Sequence, residues 1–315
     1  MYPVRLDLYE MRRLLLLLIF LSNVSAASSA ADGRLLCDTI TSGGIVREFK
    51  LYMPDGIRRQ APLVIVLHGY GGSADPGRFG MNSVADRYGV AVCYPEGVRD
   101  ERGKRCWNVG YPFQADMCVD DVGFLCDLAA ALQNRYALSR RDTFVTGLSN
   151  GGEMCYLLAY LRPDVFRAVA PVAGLMLEWF YRELSATRPV PLMEIHGTCD
   201  LTSLWCGDPH DEGGWGAYIS VPAAVGYWVA ADRCTHSEVD TLPSRSGRLV
   251  TRERYLGGRD LSEVWLYRIE AVIRGASMIS ILRRPYGSFS HASWVRIRRT
   301  KNNLLSLPSI KRFDV

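Results

Sequence analysis

The run Thr146-Gly147-Leu148-Ser149-Asn150-Gly151-Gly152 carries the pattern Gly-x-Ser-x-Gly between a predicted strand and a predicted helix. Asp142-Thr143-Phe144-Val145-Thr146 is short, β-branched and aromatic, as a buried strand should be. Glu153 to Leu161 is apolar and helix-compatible, and Arg162-Pro163 stops it. A serine at such a junction stands on a sharp turn with its hydroxyl presented as a nucleophile. Glycine is required on either side because a side chain there meets the neighbouring strand or helix. The helix begins at the serine, so its first backbone N–H groups can stabilise an oxyanion.

The rest of the chain suits a strand-turn-helix of this kind. Arg47–Met53, Leu63–Leu67, Val90–Tyr94, Ala168–Val172, Leu192–Ile195 and Val264–Ile269 read as strands. Val119–Tyr136 and Val221–Asp232 read as helices. Such alternation predicts an α/β fold, a mostly parallel central sheet with helices on both faces. Active sites in these sheets gather at the carboxyl ends of the strands.

Two further motifs fall at such ends. His68-Gly69-Tyr70-Gly71-Gly72 follows the strand ending at Leu67. Its backbone can supply an oxyanion donor, and the Tyr70 N–H is expected to act with that of Asn150. His68 is expected to order the loop, because the base comes last in the triad order of this fold. The loop lacks the Lys and Ser/Thr of a phosphate-binding P-loop. His196-Gly197-Thr198-Cys199-Asp200 follows the strand ending at Ile195, and Asp200 is the candidate acid that would orient an imidazole. A histidine should follow Ile269, but the chain reads Glu270-Ala271-Val272-Ile273-Arg274-Gly275-Ala276.

Arg12-Arg13, an apolar run from Leu14 to Leu21 and Val24-Ser25-Ala26 have the form of a signal peptide over residues 1–26. The apolar run is too short for a stable membrane anchor. Export makes disulfides possible, and all nine cysteines lie beyond Ala26, so at least one stays unpaired within a monomer. Cys93 and Cys155 read as buried thiols; Cys37, Cys106, Cys118, Cys126, Cys199, Cys206 and Cys234 read as loop or surface positions. No two form a Cys-x-x-Cys pair, which argues against a zinc site.

Residues from about 45 to 270 resemble the secreted polyhydroxybutyrate depolymerase family, which is similar to the feruloyl and acetyl-xylan esterases of carbohydrate esterase family 1. The resemblance rests on LHGYGG (67–72), YPEG (94–97), CWNVG (106–110), VDDVGFL (119–125), GLSNGG (147–152), IHGTCD (195–200) and VPAAVGYW (221–228). It implies an α/β-hydrolase fold over residues 27–270, a Ser-Asp-His triad, no cofactor and an ester substrate, polymeric in some members. It carries Ser149 over as nucleophile, Asp200 as acid, and Tyr70 with Asn150 as oxyanion donors. Asp120 and Asp121 match a family pattern and are expected to support a loop or cap a helix.

The departure is at the third triad member. Family members look like a strand followed by Gly-Gly-His-Thr-Trp and a closing helix; the tail over residues 271–315 has neither. It holds nine basic residues and one acidic residue, net +8 against +4 for the whole chain, which leaves −4 for residues 1–270. With the basic charge confined to the tail, nucleic acid is not an expected partner. Read one base out of register, Glu270 through Gly275 can spell Gly-Gly-His-Thr-Trp, and Arg283 through Ser290 can spell Glu-Ala-Ile-Trp-Glu-Phe-Phe. The expectation is a one-base insertion or deletion near Glu270, with a poorly ordered tail beyond it. Two competing readings are a base at His291, and a binding relic using the aromatic loops around Trp107, Tyr111, Trp205 and Trp215.

Overall fold

In the computed structural model, which describes residues 33–244 and 248–270, a ten-stranded sheet runs through the molecule. In chain order its elements are β1 (Arg34–Ser42), β2 (Ile45–Met53), β3 (Leu63–Leu67), α1 (Pro76–Phe79), α2 (Met81–Tyr88) and β4 (Ala91–Pro95). A two-stranded ribbon follows, β5 (Val98–Arg99) with β6 (Arg105–Cys106), and then α3 (Asp121–Arg135), β7 (Thr143–Leu148) and α4 (Asn150–Leu161). The remainder is β8 (Ala168–Val172), α5 (Glu178–Glu183), β9 (Leu192–Gly197), α6 (Val221–Asp232), β10 (His236–Leu242), β11 (Leu249–Leu256) and β12 (Val264–Glu270).

The spatial order is β1-β2-β4-β3-β7-β8-β9-β12-β11-β10. The six central strands from β4 to β12 pair in parallel, and an antiparallel pair extends each edge. β3 and β4 are buried at every position, which is why they read as unbroken apolar runs. One sheet face packs Leu63, Ile65, Val145, Val169 and Leu192 against α3, α4 and α6. The other packs Val64, Val66, Val92 and Phe144 against Met81, Val84 and Ala85 of α2.

Local chemistry sets the helix ends. The Asp120 carboxylate caps α3 by accepting from Gly123 N at 2.7 Å, and Ser220 caps α6 by accepting from Ala223 N at 3.3 Å. Asp121 accepts from Arg47 Nη2 at 2.7 Å and from Asn108 N at 2.7 Å, so it supports the loop that carries Trp107. The carboxyl ends of β3, β7 and β9 thereby bring the three motifs to one edge of the parallel sheet.

Candidate active site

Ser149 separates β7 from α4 with φ 51° and ψ −119°, a conformation that L-residues avoid at a cost of roughly 1–3 kcal/mol. The turn is held by Ser149 N–H donating to Val172 O at 2.8 Å, and by the Ser149 carbonyl accepting from Gly152 N at 2.6 Å and Glu153 N at 3.0 Å. A Cβ at Gly147 would lie 2.3 Å from Gly151 O, and one at Gly151 would lie 2.7 Å from Leu67 O. Both positions therefore need glycine. A Cβ at Gly69 would lie 3.5 Å from Ser149 Cβ, which sets the loop after β3 against Ser149.

Within that loop, Gly71 N–H donates to Arg105 O at 2.7 Å and Gly72 N–H to Gly69 O at 2.9 Å. Those two donors are spent, and the Tyr70 N–H makes no hydrogen bond among the described residues. The Tyr70 ring packs edge-on to Trp215 and Phe113, with centroids at 5.3 and 5.6 Å, and its hydroxyl donates to Asp100 Oδ2 at 2.5 Å. Asn150 is fully buried, and its side chain grips the backbone of Trp107: Oδ1 accepts from Trp107 N at 2.7 Å and Nδ2 donates to Trp107 O at 3.0 Å. Its side chain is therefore committed to the Trp107 loop. The Trp107 indole in turn donates to His68 O at 2.8 Å.

His68 is buried and both ring nitrogens are engaged. Nε2 accepts from Gly97 N at 2.9 Å, which puts the proton on Nδ1, 2.8 Å from Gly69 O. Burial holds its pKa below the ordinary histidine value. It orders the loop and is not placed to be a base. His196 is also buried, with Nδ1 2.9 Å from Glu194 Oε1 and Nε2 donating to Ser203 O at 2.8 Å. Of the other two described histidines, His210 and His236 are both exposed. Among the described residues, no histidine makes a hydrogen bond to Ser149. His291 lies outside them.

Asp200 Oδ1 accepts from Thr202 N at 2.8 Å and Ser203 N at 2.9 Å, while Oδ2 takes no hydrogen bond among the described residues. The Asp200 loop abuts the end of β12. Ile269 pairs with Gly197 in parallel register, and Thr198 N–H donates to Ile269 O at 2.9 Å. Among the described residues, no group of three or more His, Cys, Asp or Glu side chains converges as a metal site.

Residues 47–199, just under half of the chain, match the family model described as esterase PHB depolymerase. These residues are similar to that esterase family. The chain is 33% identical over 178 residues to a putative esterase, NocK, of Nocardia uniformis subsp. tsuyamanensis, covering 54% of this chain and 50% of that protein. It is 28% identical over 181 residues to feruloyl esterase B of Neurospora crassa, covering 56% of this chain and 58% of that protein. Thus it spans little more than half of these curated relatives. An acetyl xylan esterase from Aspergillus awamori superposes with TM-score 0.53 at 16% identity, covering 76% of this chain and 93% of that one. That likeness shows the α/β-hydrolase fold.

Several features of this domain were not read from the sequence. Glu153, one turn into α4, is a fully buried carboxyl that accepts from the Tyr111 hydroxyl, and burial pushes its pKa up to about 8. Glu194 Oε2 accepts from the Tyr156 hydroxyl at 2.9 Å, so the Glu194–His196 pair is tied to α4. An acidic residue inside an apolar helical run was the available signal for Glu153. The sequence placed Cys106 and Cys126 on loops or the surface; both are buried, Cys106 in β6 beneath the Trp107 loop and Cys126 on the inner side of α3. Cys37 lies on β1. All nine cysteines are free thiols. Trp107 and Tyr111 are fully buried packing residues, whereas Trp205 and Trp215 are half-buried.

Proposed function

We propose that this chain derives from a secreted serine esterase that cleaves carboxylic esters through an acyl-enzyme. The observation that carries this reading is the strained Ser149 elbow pressed against the 68–72 loop. In the complete mechanism an imidazole takes the Ser149 proton and the oxygen attacks the ester carbonyl. The Tyr70 and Asn150 N–H groups hold the oxyanion, the alcohol leaves, and water releases the acid. Asp200 would orient the imidazole through its uncommitted Oδ2.

The base itself is missing from the reading frame as written. Both ring nitrogens of His68 and His196 are engaged, and the family position of the base falls just after Glu270, where the alternate frame can spell Gly-Gly-His-Thr-Trp. Loss of a triad member lowers turnover by roughly four orders of magnitude or more. Hydrolysis of p-nitrophenyl acetate by the chain as written is therefore expected near background. Full activity in that chain would overturn this reading and point to His291. Residues 1–26 would direct export, residues 27–270 form the catalytic domain, and residues 271–315 are the displaced tail.

Polyhydroxyalkanoate, feruloylated xylan and acetylated glycan are the three substrate classes to assay. A second reading, a polymer-binding relic, draws on the half-buried Trp205 and Trp215. A pull-down on insoluble polyester and on xylan, with Ser149→Ala as control, separates retention from turnover.

A further inference from the structure

Beside the 68–72 loop lies a recess of about 390 Å3 lined by Gly71, Gly72, Ser73 and Gly103 and by four cations, Arg78, Arg99, Lys104 and Arg105. That volume is within the range of small-ligand sites. Arg105 is paired with Glu96 at 3.1 Å, but Arg78, Arg99 and Lys104 make no ion pair among the described residues. The neighbouring carboxylate, Asp100, is occupied: Oδ1 accepts from Arg102 N at 3.0 Å and Lys104 N at 2.9 Å, and Oδ2 accepts from the Tyr70 hydroxyl. With Asp100 charged beside them, the four cations of the lining still outnumber the neighbouring carboxylates Asp100 and Glu96, which favours an anion in the concavity.

Its position relative to Ser149 follows from the backbone. Gly69 sits against Ser149, and Gly71 is two residues further on, at most about 8 Å along the chain. The recess therefore begins on the order of 10 Å from the nucleophile, one or two repeat units of a polyester or glycan away. Gly71 N–H is anchored to Arg105 O, so the recess and the oxyanion loop form one fixed unit.

We propose that this recess is an anion subsite that binds a carboxylate carried by the ester substrate. The proposal deepens the esterase reading and rests on it for the carboxylate's source. Two sources share the chemistry: the free carboxyl end of a hydroxyalkanoate oligomer, and a uronic-acid branch on xylan.

The test is titration calorimetry on the full chain bearing Ser149→Ala. The probes are the 3-hydroxybutyrate trimer acid against its methyl ester, and a 4-O-methylglucuronosyl xylotriose against neutral xylotetraose. One acid is expected to bind about tenfold more tightly than its neutral partner, more weakly in high salt. The double variant Arg78→Ala/Lys104→Ala should abolish the difference. The basic tail is the same in both proteins, so the variant isolates the recess. The proposal is overturned if neither acid is preferred, if no acid binds, or if the double variant keeps the preference. Turnover of p-nitrophenyl acetate reports separately on the esterase reading, because that neutral ester carries no carboxylate for the recess to bind.

Discussion

His196 holds the carbonyl of Ser203 at 2.8 Å, and Ser203 returns its own N–H to Asp200 at 2.9 Å. The imidazole's other nitrogen lies 2.9 Å from Glu194, at a site with no solvent exposure for either side chain. Nε2 must donate, and a proton must lie between Nδ1 and Glu194, so the pair retains two protons. Glu194 thereby holds the His196 pKa above its ordinary value, against the effect of burial. A group whose folded pKa is raised stabilises the fold fully below its unfolded pKa and loses that contribution as pH rises through the folded value. Stability should thus decline above about pH 6.5. His196→Ala, which strands Glu194, should cost on the order of 3–5 kcal/mol in urea unfolding. His196→Gln, which can keep one donor, should cost less. Equal loss from both variants would contradict the pairing.

Glu153 adds to the same trend. Its carboxyl holds a proton up to about pH 8, while the unfolded chain releases it near 4.5. Between those values the folded state binds more protons, so stability falls as pH rises, by up to about 1.4 kcal/mol per pH unit. Glu153→Gln keeps the shape and removes the titration. Melting temperatures taken from pH 5 to pH 9 should fall less steeply in the variant, which should be the more stable protein at pH 9.

The elbow glycines make a steric prediction. At Gly151 a new Cβ would meet Leu67 O at 2.7 Å and His68 O at 2.8 Å, and neither backbone atom can move without shifting β3. Gly151→Ala should destabilise the protein by about 1–3 kcal/mol or more. At Gly226 a Cβ meets nothing within 4 Å, so Gly226→Ala should be neutral or stabilising by about 1 kcal/mol in α6. Chemical denaturation of both variants compares them directly.

Arg47 and Asp121 form a buried pair at 2.7 Å, and the Arg47 guanidinium also lies 3.8 Å from the Phe124 ring centroid. Asp121→Ala would leave Arg47 charged without a partner in the core and remove the acceptor for Asn108 N. A loss of about 3–5 kcal/mol is expected from urea midpoints.

Much of the parallel sheet was legible. β3, β8 and α6 match the sequence reading residue for residue, because the strands lie buried on both faces and α6 has a Ser-x-Pro start. The edges were not legible. β10 and β11 were not assigned, because their sheet is held by cross-strand pairs such as Arg252–Asp240 and Arg254–Glu238 and not by an apolar run. β1, α1 and α2 were missed, and α2 carries only Met81, Val84 and Ala85 as buried residues. Helix α4 begins at Asn150, directly after the strained Ser149 turn, as the sequence reading places it. At the site, the elbow and both loops were readable as motifs. The hydrogen bonds that commit His68 and His196 to structural work depend on Gly97 and Ser203, which come close only in the fold.

The central claim is that Ser149 belongs to an ester-hydrolysing site whose base was displaced after Glu270. The direct measurement is p-nitrophenyl acetate turnover by two proteins, the chain as written and the same chain with residues 271–315 replaced by the alternate-frame translation. The account predicts near-background turnover in the first, recovery by roughly four orders of magnitude in the second, and its abolition there by Ser149→Ala. Equal turnover in the two proteins, or no recovery in a folded alternate-frame protein, would contradict it.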